Sequence, residues 1–163
     1  MQELIDKLPD SVALTGLAKW LRTQPPQVAD AVLTRLLTDA DSGRRISGLA
    51  LMRRVQSLRD LAGDKIKLGL ARDDPSEIRH WLEAFEKVMG ASKLLGELFA
   101  VAETNPASLV HVWYQLVPLT LRWDRGLTPR LLQLRDIIEQ AAAGFDNELR
   151  AYWARQQKAV PLR

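Results

Sequence analysis

The chain contains no cysteine. Disulfides, thiolate metal sites and a cysteine nucleophile are therefore excluded, and a reducing compartment fits. Long apolar runs are also missing. The most apolar stretch, residues 107–121, is too short to span a bilayer and carries His111 and Gln115. The opening MQELIDKLPDS places acids early and lacks the apolar run of a secretory signal. The expectation is a soluble, cytoplasmic protein. The nine glycines are dispersed, so no Gly-rich loop cradles phosphate. No serine stands in a nucleophile elbow. No segment alternates as a strand does, and no internal repeat is present.

What the sequence does have is helical periodicity almost everywhere. At 163 residues, 47% hydrophobic and 26% charged, it is long enough for a single domain with its own core. The expected fold is an all-α, compact bundle of roughly six to eight helices over residues 1–163, with 1–9 and 159–163 fraying. A short helix closes at Pro9, and Asp10 or Ser11 caps the next. After Pro25-Pro26 a third helix runs to about residue 40, with Val28, Ala31, Val32 and Leu36 inward. Ser42 is the expected cap of a helix over residues 44–62, whose seam is Gly48, Leu51, Val55, Leu58 and Ala62. Residues 64–70 read as helix or linker. Asp74-Pro75-Ser76-Glu77 has the form of a capping box opening a helix with Ile78, Trp81, Leu82 and Phe85 inward. Gly90 kinks or ends it. Asn105-Pro106 opens a very apolar helix bent by Pro118. Thr128-Pro129 opens the last and longest helix, to about residue 158, with Gly144 as its weak point.

The charge distribution is the strongest functional signal. Residues 44–72 hold eight basic side chains (Arg44, Arg45, Arg53, Arg54, Arg59, Lys65, Lys67 and Arg72) against two acids, Asp60 and Asp64. That segment carries +6, whereas residues 1–43 carry −2 and residues 73–163 carry −1. Clustered Arg and Lys neutralise phosphates and release counterions, which gives sequence-independent affinity for nucleic acid. Trp20, Trp113, Trp123 and Trp153 could add stacking on unpaired bases, but core packing is the better account of each. The basic helix is too apolar to serve as a recognition helix, so any contact is expected with the backbone rather than with bases.

Other chemistries are weaker. Glu77-x-x-His80 places a carboxylate and an imidazole one turn apart, but a di-iron bundle needs two such pairs and further glutamates. No metal or cofactor is expected. Asp73-Asp74 is explained by helix capping. The reading that results is a non-catalytic helical accessory subunit, touching nucleic-acid backbone inside a larger nucleoprotein or protein assembly. The alternative is a protein–protein adaptor or inhibitor that binds an acidic partner and no nucleic acid. The last helix supports that alternative, because Arg150, Tyr152, Trp153 and Arg155 have the composition of a binding hot spot.

Overall fold

Polar caps and prolines set most helix starts. In the computed structural model, which describes residues 1–70 and 75–159, α1 (Gln2–Asp6) leads into α2 (Ser11–Leu21). The Asp10 carboxylate opens α2 by accepting hydrogen bonds from the Val12 and Ala13 amides, at 3.0 and 2.8 Å. Within residues 1–9, where fraying is expected, Ile5 and Leu8 are buried in the core. Pro26 stands at the start of α3 (Pro26–Leu37), where its missing N–H costs nothing. This helix is shorter than expected and is rotated by about one residue. Ala29, Val32, Leu33, Leu36 and Leu37 face inward, while Val28 and Ala31 are exposed. Asp41, not Ser42, caps α4 (Ser42–Arg54), accepting from the Arg44 amide at 2.8 Å.

Eleven α-helices and one 3₁₀ turn occupy the described residues, more than the six to eight expected. Two long expected helices are each divided. The basic helix stops at Val55, which adopts an extended backbone (φ −120°, ψ 115°). It is followed by α5 (Gln56–Arg59) and α6 (Ala62–Leu70). The predicted seam survives the break: Gly48, Leu51, Val55, Leu58 and Ala62 are all buried. The final helix divides into α10 and α11 as described below. Residues 64–70 are helical, and Arg72 and the Asp73-Asp74 cap lie outside the described residues.

The centre of the molecule is α7 (Pro75–Met89), which packs against α4 and α6 and against two helices that follow it. Trp81 and Phe85 are stacked on its buried face, ring centroids 5.7 Å apart. The close approach of α6 requires Gly69, since a Cβ there would stand 2.2 Å from Trp81 Cδ2. Gly90 ends α7 with φ 82°, a conformation that costs glycine nothing. Beyond it lie α8 (Ala91–Thr104) and α9 (Pro106–Thr120), both packed on α7. A 3₁₀ turn (Arg125–Leu127) capped by Asp124 leads to α10 (Thr128–Ala142). Asp146 then starts α11 (Asn147–Ala159) by accepting from the Leu149 amide at 2.8 Å. Both α10 and α11 rest on α9. No helix among the described residues is long and apolar enough to cross a membrane.

Candidate nucleic-acid interface

The basic side chains of residues 44–72 divide into those spent on the fold and those left outside it. Arg45 is spent. It is buried, and its guanidinium grips the Glu77 carboxylate, with Nε 3.1 and 3.0 Å from the two oxygens. It also donates to the Asp39 and Ala40 carbonyls, both at 2.6 Å. Its expected role as a phosphate contact is therefore corrected: this arginine ties α4 to α7. The Glu77 hydrogen bonds outweigh burial and hold the Arg45 guanidinium above its ordinary pKa. Arg44 pairs with Asp39 at 3.4 Å and lies 4.0 Å from Asp6. Lys65 is 2.8 Å from Asp30, and its side chain is only 14% exposed. Asp30 Oδ1 is buried without a hydrogen bond, so the Lys65 ammonium balances its charge. Arg44 and Lys65 are thus neutralised within the chain. Lys67 is exposed on α6, and Arg72 lies outside the described residues.

Arg53, Arg54 and Arg59 form the second group, and they converge. The break at Val55 turns α5 back beside the end of α4. Arg59 then donates to the Arg53 carbonyl, and Arg22 donates to the Arg54 carbonyl at 3.0 Å. The last carbonyls of a helix have no intrahelical donor and carry the negative end of its dipole. Two guanidinium groups from elsewhere in the chain satisfy them here. Around this helix end lies a recess of about 350 Å³, lined by Ala50, Arg53, Arg54, Arg59 and Lys87. No acid lines it, and none of its four cations forms an ion pair among the described residues. A narrower cleft of about 120 Å³ shares Ala50, Arg53 and Lys87 and continues between α4 and α7 past Ile46, Leu49, His80, Glu83 and Ala84.

Lys87 and Arg22 were not visible in the sequence as part of this site. Each lies in a segment of net negative charge. Lys87 arrives because α7 lies along α4, and Arg22 arrives because the end of α2 meets the end of α4. The chemistry on offer is simple. Four cationic heads with unused N–H donors face one opening, which suits an anion with several oxygen acceptors.

The remaining candidates separate in the same way. Trp113 and Trp153 are buried against each other, edge to face with centroids 5.5 Å apart. The Trp153 indole N–H is donated to Glu139 at 2.5 Å, so this residue belongs to the core and presents no surface to a partner. Trp123 is half-buried and donates to Glu86 at 2.6 Å, and Trp20 is half-buried against the core. Arg150 donates to the Ala143 and Phe145 carbonyls at 3.3 and 2.8 Å, stapling the turn between α10 and α11. Tyr152 lies against His111, and the Arg155 guanidinium sits 5.7 Å from the Tyr152 ring centroid. These four residues thus do not form one exposed patch. Glu77, the carboxylate of the Glu-x-x-His spacing, is committed to Arg45. No group of three His, Asp or Glu side chains able to hold a metal ion gathers among the described residues. No known protein family matches the chain, and no curated protein or solved structure does either.

Proposed function

We propose that this protein is a non-catalytic helical accessory subunit that holds nucleic-acid backbone at the recess formed by Arg53, Arg54, Arg59 and Lys87. One observation carries the reading: four cations from two separate parts of the chain meet at one opening that no carboxylate lines. Assembling like charges is unfavourable unless a counter-charge arrives, and a polyphosphate backbone supplies one. The cleft running on from the recess gives an extended ligand a path beyond a single phosphate. No convergent set of base-reading side chains accompanies the cations, so the contact is with phosphates and indifferent to sequence.

The test is the salt dependence of binding. Neutralising about four phosphates gives log Kobs against log salt a slope of about −3 to −4. Arg53→Ala with Arg54→Ala removes two of the four cations and should flatten that slope by roughly half. Full affinity and an unchanged slope in the folded double variant would end the proposal.

A second reading, an adaptor that docks an acidic protein segment, is favoured by the cleft's apolar content. Ile46 is 41% exposed at its edge, beside Leu49, Ala50 and Ala84. An acidic amphipathic helix would place its apolar face there and its carboxylates on the same arginines. Under this reading no nucleic acid shifts in a binding assay, and a specific protein co-purifies after nuclease treatment.

A further inference from the structure

On the other side of α7, between it and α9, lies a recess of about 310 Å³ lined by Arg79, Tyr114, Gln115, Pro118, Leu119 and Arg122. Its parts differ from those of the arginine recess. Tyr114 is 49% exposed, although it sits on a strongly apolar helix and next to the buried Trp113. Neither its hydroxyl nor the Gln115 amide makes a hydrogen bond among the described residues. Pro118 has no N–H, so it cannot donate to the Tyr114 carbonyl four residues before it. The recess therefore combines an exposed aromatic face, a free amide and a backbone acceptor deprived of its helical donor.

Two guanidinium groups stand at its edge, and both are held in place. Arg79 donates to Glu83 at 3.0 Å, and Arg122 donates to Glu86 at 2.9 Å. Glu86 is itself fixed by the Trp123 indole N–H. A guanidinium has five donors in a rigid fork, and these bonds leave most of them unused. The ligand such a set fits is planar and carries donors and acceptors along its edge. An unpaired base has both properties. The volume is of the size that takes a small ligand.

We infer that Tyr114 stacks an unpaired base in this recess, with unused N–H donors of Arg79 and Arg122 at the base's edge, so that the protein prefers single-stranded to duplex nucleic acid. The inference rests on the backbone-binding proposal above and deepens it. Both recesses are bordered by α7: Arg79 lines one and Lys87 the other, eight residues or about 12 Å along the helix. A strand held at the arginine recess would cross α7 to reach the tyrosine. Duplex DNA cannot use the second recess, because its bases are already stacked on each other.

The experiment is fluorescence anisotropy with a labelled oligothymidylate of roughly 16 nucleotides and a duplex of the same length. The proteins are the unaltered chain, Tyr114→Ala, Tyr114→Phe, and the Arg53→Ala, Arg54→Ala double variant, with folding followed by circular dichroism. The unaltered chain should bind the single strand more tightly. Tyr114→Ala should weaken single-strand binding about tenfold, leave duplex binding unchanged, and be rescued by Tyr114→Phe. Equal loss on both ligands, or no loss on the single strand, overturns the stacking inference and leaves the backbone proposal standing. Undiminished binding by the arginine double variant overturns the backbone proposal itself. Absence of binding to either ligand by the unaltered chain overturns both.

Discussion

Arg45 and Glu77 form a buried ion pair across thirty-two positions of sequence, and it joins the basic helix α4 to the central helix α7. The guanidinium is also bonded to two carbonyls of the turn before α4. All the partners a buried charge needs are thus supplied by the fold. Removing one member leaves the other charged and enclosed, which typically costs about 3–5 kcal/mol. Arg45→Ala and Glu77→Ala should each lower stability by that order in urea denaturation. A loss below about 1 kcal/mol for both would contradict the account of this pair.

Lys87 and Lys65 offer a contrast that sequence position would reverse. Lys65 belongs to the basic segment but is neutralised by Asp30, whereas Lys87 lies outside it and lines the arginine recess. In a titration with labelled oligonucleotide, Lys87→Ala should weaken binding to the same degree as Arg54→Ala. Lys65→Ala should leave affinity unchanged once folding is accounted for. The opposite ranking would place the ligand on α6 instead.

Two glycine substitutions should change stability in opposite directions. Alanine is favoured over glycine within a helix by about 1 kcal/mol. At Gly96, inside α8, the nearest atom to a new Cβ is Arg130 Nη2 at 3.9 Å, so Gly96→Ala should gain much of that. At Gly69 the new carbon would lie 2.2 Å from the buried Trp81 ring. Overpacking of that kind costs roughly 1–3 kcal/mol or more, which exceeds the helix gain, so Gly69→Ala should destabilise. Thermal melting of the two variants decides the point, and a stabilised Gly69→Ala would show that α6 does not approach α7 so closely.

Acid should unfold the protein partly through Asp39 and Glu83. The Asp41 amide and then the Arg44 guanidinium hold the Asp39 carboxyl below its ordinary value. The Arg79 hydrogen bond does the same for Glu83 against the opposing effect of burial. A depressed folded pKa contributes stability that is present above the unfolded value, about 4, and is lost as pH falls through the lower folded value. The double variant Asp39→Asn, Glu83→Gln should therefore be less stable at neutral pH and show a shallower loss on acidification. Urea midpoints across an acid series test this. Parallel curves for variant and parent would remove both residues from the effect.

Much of the helical plan was legible because it depends on neighbouring residues. Asp10 acts within three positions, Pro26 acts through its own missing N–H, and the seam from Gly48 to Ala62 is a local period, whereas the cap of α4 falls on Asp41 one residue before the expected Ser42. The break at Val55 was not legible. No glycine or proline marks it, and of the carbonyls it frees, that of Arg54 is satisfied by Arg22, thirty-two residues away. The break after Ala142 does have a local signal in Asp146, the cap of α11, but the apolar period that runs across it is the stronger pattern. Tyr114 does not stand out in the sequence for a related reason: a period assigns a residue to a face, but the proline one turn later and the arginines across the groove give that face its chemistry.

The amino-acid sequence by itself determined the helical class, most helix starts, and the presence of a +6 segment in a chain of net charge +3. Tertiary structure alone decided which of those charges remain available. It consumed Arg45 in the core, paired Arg44 and Lys65 with carboxylates, and brought Lys87 to join Arg53, Arg54 and Arg59. The reason is that charge adds along a chain regardless of conformation, whereas exposure and pairing depend on distances that exist only once helices remote in sequence are packed.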